Sequence, residues 1–155
     1  MHQIAQNSSD TYPARPSGGR RMSPGFAGML ERIRYDGAYA TRAQAERATR
    51  PVLAALGRQL AGPERGELAA VLPPEAAEVL LGEPVAKTPL GPLDFVREIA
   101  EHSGGTRATA RWAADAVCAQ LAGFCGPDLT GRVVDGLPSG YGALFGGVRT
   151  ERAAA

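Results

Sequence analysis

The strongest constraint on this chain is that its folded part is written twice. Thr41-Arg42-Ala43-Gln44-Ala45-Glu46-Arg47-Ala48 recurs as Thr106-Arg107-Ala108-Thr109-Ala110-Arg111-Trp112-Ala113. At the same offset Leu72-Pro73 recurs as Leu137-Pro138, and Leu56 recurs as Leu121. An offset held across separate motifs marks duplication of a whole structural unit. It also gives each residue a counterpart against which a special role can be judged.

Composition narrows what the repeated unit is. A chain of 155 residues suits one compact domain, or two small halves sharing a core. Aromatics are scarce and alanine is abundant, a balance that favours close-packed helices over an aromatic-rich sheet. Lys87 is the sole lysine, which GC-rich codon usage explains more simply than selection for phosphate-gripping arginine forks. From Gly25 to Gly82 seven Arg meet seven acids, and from Leu93 to Gly147 four Arg meet six. Neither half has the one-signed surplus that duplex nucleic-acid binding demands, so nucleic acid is not expected as a partner. No apolar run reaches the length of a membrane span, and the polar N-terminus lacks a signal-peptide core, so no membrane partner is expected and the location expected is the cytoplasm.

Along the chain, residues 1–24 are rich in Ser, Pro, Gly, Gln and Arg without hydrophobic period and are expected to be a disordered tail. The first helical repeat is expected over residues 25–82. Phe26, Met29, Leu30 and Ile33 form one helical stripe. Thr41 with Gln44 three residues on reads as a capping box opening a second helix. Its stripe runs Ala45, Ala48, Val52, Ala55, Leu56, Gln59 and Leu60, with a kink expected at Pro51. Two short helices follow, carrying Leu68, Val71 and Leu72, then Ala76, Val79 and Leu80. Residues 83–92, with Pro84, Pro89 and Pro92, form a stiff connector. The second repeat, residues 93–148, retraces the pattern. Phe95, Val96 and Ile99 match Met29, Leu30 and Ile33 one residue out of register, a slip that falls in the loop where His102 corresponds to Asp36. Thr106 caps the long helix, Asp128 is the expected N-cap of the short one, and Pro138 opens a last helix with Tyr141, Leu144 and Phe145 inward. Residues 149–155 are a C-terminal tail. The fold expected is all-α: two similar four-helix units in tandem, packed with an approximate two-fold relation.

The residues Met29-Leu30-Glu31-Arg32-Ile33, Ala45-Glu46-Arg47-Ala48, Val52-Leu53 and Leu72-Pro73 carry a family resemblance. In the second copy Asp94-Phe95-Val96, Ala110, Ala113, Val117, Leu137-Pro138 and Tyr141 through Phe145 carry it again. The pattern resembles the prokaryotic domain-of-unknown-function 2267 family, in which this helical unit stands in tandem, and it covers about Phe26 to Gly147. The resemblance implies a helical fold and brings no catalytic residues with it. The second copy departs from the pattern with Gly140, Gly142 and Gly146 around its final helix.

Candidate chemistry is sparse. Cys118 and Cys125 would lie about 10 Å apart on a continuous helix, beyond disulfide reach. Their counterparts are Leu53 and Leu60, so they read as core substitutes for leucine. Two cysteines and a distant His102 fall short of a metal site, and none is expected; His102 reads as a solvated loop residue. Ser103-Gly104-Gly105-Thr106 lacks the lysine and the preceding strand of a phosphate loop. Glu31, Glu46, Glu67 and Glu98 read as solvent-facing carboxylates without a convergent partner. No cofactor and no catalytic group is expected, and the chain does not read as an enzyme.

Trp112 is the residue that the duplication makes odd, since its counterpart is Arg47 on the polar face. Two placements fit: packed against the other repeat, or exposed as an anchor for a partner. Trp112, Tyr141 and Phe145 are the candidate interaction residues. The function expected is a non-catalytic interaction or scaffold protein of a bacterial cytoplasm with a protein partner; a nucleic-acid-binding regulator built on helix-turn-helix-like units is the alternative, and an enzyme of unassigned class comes third.

Overall fold

A computed structural model describes residues 21–146. Among them are six α-helices and no strand. Helix α1 (Pro24–Asp36) buries Phe26, Met29, Leu30 and Ile33, the stripe expected. It begins earlier than the first repeat was expected to. The Ser23 side chain accepts from the Phe26 amide and Pro24 sits in the first turn, where its missing N–H costs nothing. Ser23 also binds Glu75 twice, its amide and its hydroxyl each donating at 2.7 Å. Ser23 and Pro24 therefore belong to the folded body; the rest of the expected N-terminal tail up to residue 20, and the C-terminal tail, lie outside the described residues.

Helix α2 (Arg42–Gln59) starts at the Thr41 cap, whose hydroxyl accepts from the Gln44 amide at 3.1 Å. Gln44 reaches back to the Ala40 amide rather than to that of Thr41. The helix runs as a single element through Pro51. Helices α3 (Pro63–Val71) and α4 (Pro74–Leu81) each start on a proline. Gly57 lets α2 and α4 touch backbone to backbone, since a Cβ there would lie 1.9 Å from the Leu80 carbonyl oxygen.

In the second half, α5 (Pro92–Ser103) buries Phe95, Val96, Ile99 and Ala100 and closes on Gly104, whose φ of 77° suits glycine. Helix α6 (Arg107–Asp135) opens with a capping box between Thr106 and Thr109. It is two helices joined at Gly126, where φ 76° and ψ 170° are reachable by glycine alone. This corrects the expected N-cap: the break falls at Gly126-Pro127, not at Asp128, because proline suits the first helical position and glycine takes the turn before it. The last helix of the second repeat is also corrected. Only a three-residue 3₁₀ turn, Tyr141–Ala143, forms there. Gly140 at φ 100° and Gly146 at φ 77° bracket it, and each glycine within a helix would cost about 1 kcal/mol relative to alanine.

One hydrophobic core runs through both halves, from Phe26 and Leu56 to Phe95, Val117, Leu121 and Phe145. Helix α2 packs on α1 and α4 of its own half and on α5 and α6 of the other, while α1 and α3 also meet α6. The connector is fastened as well as stiff. The Ala86 amide donates to the Arg58 carbonyl at 2.8 Å, and the Leu90 amide donates to Gln59 Oε1 at 2.8 Å. Arg65 reaches the Glu83 carbonyl from α3.

Candidate functional site

The two positions that the duplication sets apart, Trp112 and Arg47, lie on α6 and α2 at the crossing between the halves. Trp112 is neither fully packed nor fully exposed. Its indole N–H donates to the Gly37 carbonyl, in the α1–α2 turn of the first half, at 2.7 Å. The side chain nevertheless stays 56% exposed. One edge of the ring is thus fixed and its face is left to solvent, an aromatic group with little rotamer freedom left to lose on binding.

Arg47 is the sequence counterpart of Trp112. With His102 as the counterpart of Asp36, Ser103 is the counterpart of Gly37, and Arg47 lines a cleft of about 200 Å³ together with Ser103. Ile99, Thr109, Ala110 and Ala113 also line it, with Tyr39 closing one side. Tyr39 lies against Gly37, where an added Cβ would come within 2.4 Å of its ring.

Tyr141 and Phe145 are corrected as interaction candidates, since both are buried in the core and neither reaches the surface. Tyr141 works inside the molecule. Its hydroxyl donates to the Leu90 carbonyl at 2.8 Å, and its ring meets Phe95 edge-on at 5.1 Å. Together with Gln59 it holds the connector at Leu90 from both sides. Burial pushes its phenol well above the usual range, with Cys118 and Glu98 adding to the rise.

The cysteines are both free; Cys118 is buried and Cys125 half-buried. Burial, and then Asp115, drives the Cys118 thiol far up. Burial also raises that of Cys125, while a hydrogen bond from Thr130 lowers it in part. A raised value means less thiolate at any given pH, and the thiolate is the reacting form. In native buffer near pH 8, Cys118 should resist a thiol reagent until denaturant is added, and Cys125 should react first but slowly. Prompt modification of both sulfurs in intact-mass data would contradict this placement.

The carboxylates were only partly legible. Glu98 is not a solvent-facing acid: it pairs with Arg58 at 3.2 Å, and Arg58 also pairs with Glu83 at 3.3 Å. Glu98 Oε1 and Gln59 Nε2 are buried without a hydrogen-bond partner among the described residues. Sequence reasoning passed over this brace of Arg58, Gln59 and Glu98, although a glutamine within the apolar stripe of α2 was a signal for it. Glu46 pairs with Arg50, Glu31 with Arg34 and Glu67 with Arg132. His102 belongs to the last turn of α5, not to the loop, and its Nδ1 lies 3.0 Å from the Glu98 carbonyl. Among the described residues no group of three or more His, Cys, Asp or Glu side chains is arranged to hold a metal ion. No described helix is long and apolar enough to cross a membrane.

The family profile described as uncharacterized conserved protein (DUF2267) matches residues 26–144. No curated protein matches the chain.

Proposed function

The chain belongs to the DUF2267 family, and we propose for it a non-catalytic interaction or scaffold role, in a bacterial cytoplasm, with a protein as partner. The observation that carries the reading is Trp112. An indole fixed at one edge by its N–H bond and 56% exposed offers a partner an aromatic face that is already ordered. The bond of Trp112 to Gly37, and the cleft that their sequence counterparts Arg47 and Ser103 both line, support two tandem units related by an approximate two-fold axis. Such an axis would set the Trp112 face and the Arg47 cleft on either side of one crossing.

The nucleic-acid reading fares less well on this surface. Arg34, Arg42, Arg50, Arg58, Arg97, Arg111 and Arg132 each have a carboxylate partner, so more than half of the described arginines face a competing anion before any phosphate. A gel shift with mixed genomic fragments at about 150 mM salt should show no retention by the protein shortened to residues 21–155. Tight retention would reject the proposal in favour of a regulator. Pull-down from the native cytoplasm should recover a partner whose affinity falls roughly thirtyfold with Trp112→Ala, as for an interface hot spot; capture indifferent to that change would count against Trp112.

A further inference from the structure

The duplication supplies a template for a site that is open on one side of the molecule. Trp112 and Arg47 are equivalent by sequence, and so are Gly37, which the indole bonds, and Ser103, which lines a cleft with Arg47. On one side the indole lies across the junction and bonds the opposite turn at 2.7 Å. On the other side arginine replaces tryptophan, and a cleft of about 200 Å³ stands there instead. We propose that this cleft is a docking site for a single aromatic side chain of a partner protein, with a neighbouring carboxylate of that partner pairing with Arg47. The proposal rests on the interaction role and names the chemistry of its partner.

Size, lining and charge each point the same way. Small-molecule and cofactor sites run to roughly 300–1,000 Å³, so this cleft is too small for a whole cofactor and suits one inserted side chain. Ile99, Ala110 and Ala113 give it a buried apolar lining. The exposed Ser103 hydroxyl keeps one acceptor site beyond its bonds to Ala100 and Gly105, while the Thr109 hydroxyl is held in the Thr106 cap. Those groups fit an aromatic ring that carries a polar N–H or O–H. Arg47 is the only charged residue lining the cleft, and it is exposed. Unlike the seven paired arginines, it makes no ion pair among the described residues. An unneutralised guanidinium at the mouth selects for a carboxylate beside the ring and against a cation.

Blocked dipeptides provide the probe, followed by amide NMR shifts of the protein. Acetyl-aspartyl-tryptophan amide should perturb Gly105, Thr109, Ala110 and Ala113 as a group. Acetyl-aspartyl-alanine amide should leave them unmoved, and acetyl-lysyl-tryptophan amide should bind about two- to fivefold more weakly, the worth of one exposed ion pair. Arg47→Glu should reverse the order of the acidic and basic probes. Arg47→Trp should fill the cleft with the protein's own indole and abolish the response. Shifts that survive Arg47→Trp unchanged, or no shift up to the solubility limit of the acidic probe, would overturn the proposal. A partner captured equally by the native protein and by Arg47→Trp, yet lost with Trp112→Ala, would overturn the cleft alone and leave the interaction role standing.

Discussion

Gly57→Ala should destabilise this protein by about 3 kcal/mol, a fall of roughly 10 °C in the thermal midpoint. Helix propensity alone argues the opposite sign, because alanine inside a helix is favoured over glycine by about 1 kcal/mol. The contact decides it. A Cβ at position 57 would lie 1.9 Å from the Leu80 carbonyl oxygen and 2.9 Å from its carbon. Those are backbone atoms of α4, not the end of a side chain that can swing away, so the two helices must separate. Arg65 adds to the constraint, donating to the Gly57 carbonyl at 3.2 Å and to the Leu80 carbonyl at 3.4 Å. Gly66→Ala in α3 is the matched control, since nothing stands within 4 Å of its added methyl. That variant should gain up to about 1 kcal/mol. Urea midpoints of the two variants should therefore move in opposite directions. Equal shifts would show that the α2–α4 approach is looser than described.

How far the sequence could be read depended on whether a signal was local. The stripes of α1, α2 and α5 were legible because a helix with one buried face repeats its apolar residues every three or four positions. Thr41 and Thr106 were legible as caps because the group each satisfies lies three residues ahead. The break in α6 was placed two residues late. Asp128 is a good cap by type, but Gly126 alone can take φ 76° and Pro127 follows it, so backbone freedom outweighed a side-chain hydrogen bond. Periodicity shows which face is apolar but not what covers it, and that is where the candidate site was misread. Tyr141 was assigned to a possible interface, and its partner proved to be the Leu90 carbonyl, 51 positions away along the chain. Glu98 and Arg58 are similarly separated in sequence and joined in space. The anomaly at Trp112 could be seen from its counterpart Arg47; its hydrogen bond to Gly37 could not, because it depends on how the halves cross.

The two repeats should unfold as one cooperative unit. Val52, Leu53 and Leu56 of the first half share a core with Phe95, Ile99, Val117 and Leu121 of the second. Fully burying such a side chain contributes about 1.5–3 kcal/mol. Exposing all seven would cost about 10–20 kcal/mol, as much as the roughly 5–15 kcal/mol by which a domain is usually stable. Half the chain is also close to the size at which a core alone rarely suffices. The most direct measurement is urea unfolding of a fragment spanning residues 21–83, with its mass in solution followed by sedimentation. The fragment should unfold without a cooperative transition or associate with itself, and adding a fragment of residues 84–146 should restore a single sharp transition. A monomeric 21–83 fragment that unfolds sharply alone, at a midpoint near that of the whole protein, would contradict the shared core.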